Sequence, residues 1–385
     1  MKPFHRLQNL KNLGKETAFL WGPRQTGKST LLKSLFPQSV YYDLLSTKTL
    51  DRLNRRPWEL REELLAGPLP KAPVIIDEVQ KSPQLLDEIQ WMIVNKNIQF
   101  ILCGSSARKL KRGRGNLLGG RAIRFELFPL AFKEIPDFDL KRALNHGLLP
   151  RHYLSSDPRD ALQSYISDYL MEEIRAEGLV RSLQPFGRFL ESAAFSNGEI
   201  VNFSNIASDC GVSSPTVKEY FQILVDTLIG YLIPPYTHST SRQMISATPK
   251  FYLFDVGVLN GCVDNFVPSV DRVGDLFEHL VLQLITSGAM AKDDSVRIST
   301  YRTEADAEVD FILQRGTDVF AIEVKSSRKC QSSDLRGLQS FTSFHGKKHI
   351  PMVIYRGDYP MEIDGVKILP LRNGLEFLGY GYKDN

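Results

Sequence analysis

Trp21-Gly22-Pro23-Arg24-Gln25-Thr26-Gly27-Lys28-Ser29-Thr30 holds two glycines five positions apart, the second followed directly by a lysine and a serine. The apolar run Thr17-Ala-Phe-Leu-Trp21 ahead of it reads as a buried parallel strand, and Ser29 to Leu35 behind it as the opening of a helix. A glycine-rich turn in that setting curls its backbone N–H groups around phosphate oxygens, and the helix N-terminus adds partial positive charge. Lys28 can then reach the β- and γ-phosphates of a nucleoside triphosphate, and Ser29 can hold Mg2+. Gly22 to Thr30 are therefore the candidate ATP-binding residues.

The next segments continue the pattern. Pro73-Val-Ile-Ile-Asp77-Glu78 is a short apolar strand running into two acids. After a phosphate-binding loop this is a Walker B arrangement, with Asp77 beside the Mg2+ shell and Glu78 placed to polarise the attacking water. Ser39 to Leu45 and Ile98 to Gly104 read as further strands, and Thr47 to Ala66 as a charged amphipathic helix interrupted near Pro57. Ser105 either senses the γ-phosphate or caps the following helix, and one hydroxyl can serve both purposes. Between Cys103 and Phe125 come Arg108, Lys109, Lys111, Arg112, Arg114, Arg121 and Arg124 with no acid among them, and Ala122 to Phe128 reads as a fifth strand. Five apolar strands with two acids on the third fit the phosphate-loop class that inserts a strand between the loop strand and the Walker B strand. A basic residue just before the last strand then often reaches a neighbouring subunit's ATP. Arg121 is the candidate, with Arg112 and Arg114 behind it; the other readings are an ordinary basic loop or a DNA contact. Such a finger raises turnover by about 10³–10⁵ where it operates, and in trans it requires a homo-oligomer, most simply a ring.

At 385 residues the chain is too long for one ordinary core, and its 42% hydrophobic and 24% charged residues are those of a globular protein. No apolar stretch approaches the roughly 20 residues that cross a bilayer, and Met1-Lys-Pro-Phe-His-Arg6 lacks the apolar core of a secretory signal. A cytoplasmic protein without a membrane partner is expected. Cys103, Cys210, Cys262 and Cys330 are scattered without close pairs, which argues against disulfides and zinc. A net charge of +4 is too slight to argue for nucleic acid by itself.

Four motifs carry a resemblance: Gly-Pro-Arg-Gln-Thr-Gly-Lys-Ser, Ile-Ile-Asp-Glu-Val-Gln, Gly-Ser-Ser-Ala-Arg, and Gly-Gly-Arg-x-x-x-Phe-Glu-Leu-Phe-Pro-Leu. Together they resemble the prokaryotic AAA-type ATPases that end in a domain of unknown function, and the similarity runs over nearly the whole chain. It implies an α/β AAA-type domain with ATP and Mg2+ as cofactors. One departure is Asn145-His-Gly-Leu-Leu-Pro150, where the family pattern is a Gly-Gly-Phe-Pro turn.

In the middle, Pro158 to Glu177 reads as a helical connector, Asn205 to Cys210 as a short helix, Gly211 to Pro215 as a turn, and Ser214 to Leu228 as a longer amphipathic helix. Val217, Tyr220, Phe221, Leu224 and Leu228 recur at helical spacing on its apolar face. This resembles a helix-turn-helix, with Tyr231 to Tyr236 as its wing. The second helix offers one base, Lys218, beside one acid, Glu219, where a groove reader usually presents Arg, Asn or Gln. Sequence-specific reading, non-specific DNA contact and a purely structural use all remain as readings.

The last third carries a second constellation. Glu278 lies on an amphipathic helix from Asp275, Asp310 on the strand Ala307 to Leu313, and Glu323 and Lys325 on the strand Val319 to Lys325. The order Glu, Asp, Glu-x-Lys resembles the PD-(D/E)xK nuclease fold. Residues two apart on a strand share a face, so Glu323 and Lys325 point together. Asp310 and Glu323 are the candidate Mg2+ ligands, completed by Glu278 through water, with Lys325 orienting the attacking water; oxygen ligands suit that ion. Gln339 is a weaker candidate contact, and Ile350 to Tyr355 and Val366 to Pro370 complete the sheet.

The expected layout is an AAA-type phosphate-loop ATPase domain over 1–150, a helical connector with a winged helix-turn-helix over 151–240, and a restriction-endonuclease-like α/β domain over 241–385. The expected function is an ATP-hydrolysing ATPase that couples turnover to remodelling or cleavage of DNA, branched or junction DNA included. The alternative is a nucleotide-dependent switch in stress or defence whose C-terminal domain binds DNA or a partner without cutting.

Overall fold

The computed structural model describes residues 4–8, 10, 13–105, 118–170, 183–237, 248–267 and 269–382. Arg112 and Arg114 lie outside the described residues. The chain forms two compact units, Gln8–Phe128 with Asp226–Ile229, and Met1–Leu7 with Pro129–Val225 and Gly230–Asn385. The smaller unit thus ends at Phe128, short of the expected boundary at 150, and residues 151–225 share one unit with the last third instead of standing as a separate connector.

In the smaller unit, β1 (Ala18–Trp21), β2 (Tyr41–Asp43), β3 (Val74–Asp77), β4 (Phe100–Gly104) and β5 (Ile123–Glu126) form one sheet in the order β2-β3-β4-β1-β5. All neighbours are parallel. The inserted strand expected between the loop strand and the acid-bearing strand is β4. β1 and β4 are apolar and buried along their length, and β3 is apolar up to the buried Asp77 that ends it, as suits parallel strands covered on both faces. Among the helices are α1 (Lys28–Leu35), α2 (Thr47–Arg55), α3 (Glu59–Leu65) and α4 (Leu85–Lys96). The break between α2 and α3 falls at Arg56 and Pro57, because a proline ring disfavours helical backbone in the residue before it.

The larger unit opens with α5 (Leu140–His146), α6 (Pro150–Leu154) and α7 (Arg159–Ser164). It continues with α8 (Leu183–Phe195), α9 (Phe203–Cys210) and α10 (Ser214–Asp226), then the antiparallel pair β6 (Gly230–Ile233) and β7 (Lys250–Leu253). Asn202 caps α9 through Asn205 N at 3.0 Å, and Gly211 ends it with φ 67°, a left-handed turn that glycine adopts without strain. Val217, Tyr220, Phe221 and Leu224 face the core as expected, but α10 stops at Asp226, so Leu228 lies beyond it. Phe189, Phe221 and Phe251 pack there edge to face, with Phe186 tilted against Phe189.

Next come α11 (Val256–Cys262) and α12 (Val273–Lys292), followed by β8 (Val296–Arg302), β9 (Glu308–Arg315), β10 (Asp318–Lys325), α13 (Arg336–His345), β11 (Ile350–Tyr355), β12 (Met361–Ile363), β13 (Val366–Pro370) and α14 (Leu371–Phe377). The strands form one mixed sheet ordered β12-β13-β11-β10-β9-β8. Asp255, fully buried, ties the unit together: its carboxylate accepts from Leu148 N at 2.7 Å, Gln283 Nε2 at 2.7 Å and Val258 N at 3.1 Å.

His152 on α6 is fully buried against the edge of Tyr165, and neither ring nitrogen has a hydrogen-bond partner. Burial first, then the Arg151 charge, push its pKa down to about 4. Between the ordinary value near 6.5 and about 4 the unfolded chain takes up a proton that the folded chain refuses. Stability therefore falls as pH drops through that window, by about 3 kcal/mol from this group. Denaturant unfolding at pH 7 and pH 4.5 should show that loss, and His152→Leu should flatten it by about one proton.

Candidate nucleotide site and acidic cluster

The loop between β1 and α1 has the geometry its spacing requires. Gly22 has no room for a side chain, since a Cβ there would stand 2.2 Å from the Leu127 carbonyl oxygen. Gly27 takes φ 94° and its Cβ direction is open, so it supplies a left-handed backbone and leaves space in front of the loop. Lys28 is buried, and its ammonium donates to the carbonyls of Gly22 at 2.7 Å and Pro23 at 2.9 Å. Both partners are neutral carbonyls. Thr26 Oγ1 closes the turn on the Pro23 carbonyl at 2.9 Å.

Parallel pairing of β3 with β2 and β4 brings Asp77 to the carboxyl end of the sheet beside α1. Ser29 Oγ donates to Asp77 Oδ2 at 2.6 Å. The two groups expected to share Mg2+ are therefore adjacent, an oxygen-only pair that fits that ion. The Tyr41 hydroxyl donates to the same carboxylate oxygen. Burial, then that hydrogen bond, hold the phenol far above its ordinary range, so it stays a donor at every working pH. Tyr41 escaped the sequence reading because only the register of β2 against β3 brings it there.

Glu78 follows with φ 59°, an uncommon left-handed conformation for a residue with a side chain. Gln80 Nε2 donates to Glu78 Oε2 at 2.6 Å and to Ser105 Oγ at 3.1 Å. The structure thus brings Glu78 and Ser105 to one side chain that the sequence reading did not single out. Arg121 is exposed, its backbone N–H donating to the Leu118 carbonyl at 3.0 Å.

In the larger unit the antiparallel register, with Ile322 opposite Phe311, carries Glu323 to the level of Asp310. Asp310 Oδ2 accepts from Val324 N at 2.7 Å, and Lys325 Nζ pairs with Glu323 Oε1 at 2.7 Å. Burial, then the Glu323 charge, push the Asp310 pKa up, and burial pushes Glu323 up against the pull of Lys325. Glu323 Oε2 is buried without a hydrogen-bond partner, an orphaned acceptor that suits a cation.

Glu278 lies near that pair, its pKa raised by burial and then by the Asp310 charge, and it has hydrogen-bond and ion-pair partners of its own. Tyr252 donates to Glu278 Oε1 at 2.5 Å, and Lys250 Nζ stands 3.7 Å from the same oxygen and 2.5 Å from Glu308 Oε1. Both residues come from β7, the strand that follows the helix-turn-helix pattern. Among the described residues no group of three or more His, Cys, Asp and Glu side chains stands ready to hold a metal ion. A cavity of about 340 Å³ beside Lys250 is lined by Glu278, Glu308, Asp310, Asp275 and Arg302. On α10, Lys218 lies over the Phe203 ring at 5.3 Å. No described helix is long and apolar enough to cross a membrane.

Comparison with known proteins divides the chain into three matched stretches. Residues 14–136 match an AAA domain, 137–268 a domain of unknown function (DUF8612), and 273–373 a domain of unknown function (DUF4143). An uncharacterized protein of Haemophilus influenzae is 20% identical over 381 residues, covering 90% of this chain and 91% of its own. A signal transduction ATPase with numerous domains and a tetratricopeptide-repeat sensor, from Pyrococcus horikoshii, is 13% identical with a TM-score of 0.21. That match covers 74% of this chain and 46% of the other, so the chain spans just under half of that protein's length.

Lys250 is nearly buried, and removing one partner of such a pair strands the carboxylates it serves. Lys250→Met should lower unfolding stability by up to about 3 kcal/mol, whereas Arg302→Met, at the half-exposed rim beside Asp306, should cost less than about 1 kcal/mol. Urea denaturation of the two variants compares them directly.

Proposed function

We infer that this chain, an AAA-domain protein that ends in the domain of unknown function DUF4143, hydrolyses ATP at the smaller unit and uses the nucleotide state to control DNA at the larger one. The observation that carries the first half is the convergence of Lys28, Ser29, Asp77 and Glu78 at one end of the parallel sheet. Backbone N–H groups of the loop after Pro23 would cradle the phosphates while Lys28 trades its carbonyl partners for phosphate oxygens. Ser29 and Asp77 would hold Mg2+, which neutralises charge developing on the phosphates when bound. Glu78 takes a proton from the attacking water. Ser105, whose hydroxyl accepts from Gln80 Nε2 at 3.1 Å, would sense the γ-phosphate. Arg121 is the proposed finger toward a second copy of the chain, which makes the working form a homo-oligomer.

The DNA half rests on the succession of α9, turn, α10 and the β6/β7 pair, and on Asp310 and Glu323 facing each other next to Lys325. If Asp310 and Glu323 hold a divalent cation, Lys325 is placed to orient water toward a phosphodiester. The second reading, a switch whose C-terminal domain binds DNA without cutting it, is favoured by one feature: Lys250 and Tyr252 occupy Glu278.

Purified protein with ATP, Mg2+ and a panel of duplex, single-stranded and four-way DNA separates the readings. Lys28→Ala should abolish phosphate release, and Glu78→Gln should bind ATP yet hydrolyse it at least about 100-fold more slowly. Unchanged turnover in Lys28→Ala would remove the ATPase reading. Mg2+- or Mn2+-dependent cutting that Asp310→Ala eliminates while phosphate release persists would establish the nuclease, and DNA binding without cutting would favour the switch.

A further inference from the structure

We propose that Gln80 is a positioning residue for ATP hydrolysis, its side-chain amide yoking the carboxylate of Glu78 to the hydroxyl of Ser105 so that the occupancy of Ser105 sets where Glu78 points. This rests on the smaller unit being an ATP hydrolase. Gln80 comes back under the sheet end because the left-handed backbone at Glu78 turns the chain into the short helical turn Val79–Lys81. Its side chain is buried at 5% exposure. A carboxylate only accepts, so the amide nitrogen must be the atom that faces Glu78, at 2.6 Å; the same nitrogen reaches Ser105 Oγ at 3.1 Å. The place it occupies is built from two strands. A Cβ on Gly104 would stand 2.2 Å from Gln80 Oε1 and 2.8 Å from the Trp21 ring, so glycine there is what admits the amide.

Packing alone does not explain the choice of residue. Gln80 Oε1 is buried without a hydrogen-bond partner, and a leucine or methionine would fill the same space with no stranded acceptor. The amide nitrogen, by contrast, joins the two groups placed to meet the water and the γ-phosphate. A donor fixed on Glu78 Oε2 sets the orientation of the carboxylate. When a γ-phosphate oxygen engages the Ser105 hydroxyl, the amide is drawn with it and the carboxylate turns. The yoke would thus make the base competent only when the triphosphate is in place.

The test uses the full chain. Gln80→Leu, similar in volume, should lower kcat for phosphate release by at least about tenfold, while KM for ATP stays within about twofold. Affinity for ADP with aluminium fluoride, which imitates the transition state, should fall in step with kcat; affinity for a non-hydrolysable ATP analogue should not. Ser105→Ala combined with Gln80→Leu should cost no more than the worse single change, because the two act as one unit. Gln80→Met is the second variant, and thermal unfolding of both checks the fold. Unchanged kcat, equal loss of both affinities, or additive costs would each overturn the inference. A wild-type chain that releases no phosphate removes the ATPase reading itself, and this inference with it.

Discussion

One carboxylate oxygen organises the nucleotide end of this protein. Asp77 Oδ2 accepts from Ser29 at the start of α1 and from Tyr41 on β2, while the other oxygen, Oδ1, receives the N–H of Glu78 at 3.1 Å. Two strands and the helix behind the phosphate loop are thereby tied to a single group. Charge-assisted hydrogen bonds are roughly twice as strong as neutral ones, so the arrangement is held before any ligand arrives. It follows that the loop, the Ser29–Asp77 pair and the backbone at Glu78 are set by the sheet.

The larger unit solves a different electrostatic problem. Glu278, Glu308, Asp310 and Glu323 crowd one end of its mixed sheet, and burial, reinforced by the charges of neighbouring acids, drives the carboxyls of Glu278, Asp310 and Glu323 toward protonation. Two lysines answer them, Lys325 from within the same sheet and Lys250 from β7. Lys250 is not a loosely tethered surface cation. Its strand pairs with β6 on one side, and the residue bridges Ile200 on the other. The backbone therefore delivers the ammonium to the acids at a fixed place, and Glu278 answers to β7 as much as to its own helix.

What was legible in the sequence followed from short-range rules. The strand, glycine turn and helix at 17–35, the two acids ending β3, the break at Pro57 and the Glu-x-Lys face of β10 each depend on spacing that a local pattern carries. The inserted strand was legible too, because five apolar runs in that order permit few sheet topologies. Tyr41, Lys250 and Tyr252 were not, since each meets a partner that only the tertiary fold brings near, and Gln80 was not because its approach to Glu78 and Ser105 depends on the left-handed backbone at Glu78. Glu278 shows the same limit from the other side. Its placement on α12 was readable, but its partners come from β7, and no spacing rule relates the two. The division at Phe128 is likewise carried by no local pattern: Leu130, Leu148 and Leu149 are completely buried and belong to the larger unit.

The buried carboxylate of Asp255 bears on how this protein can be divided in the laboratory or by evolution. Its hydrogen-bond donors come from residues 148, 258 and 283, and Asn260 likewise donates its amide to the carbonyls of Leu144 and Asn145. A fragment cut near residue 240 would carry both polar side chains into its core and leave part of their complement behind. The C-terminal third is thus no portable module; whatever lineage recombined it would have had to take along the segment beginning near Pro129.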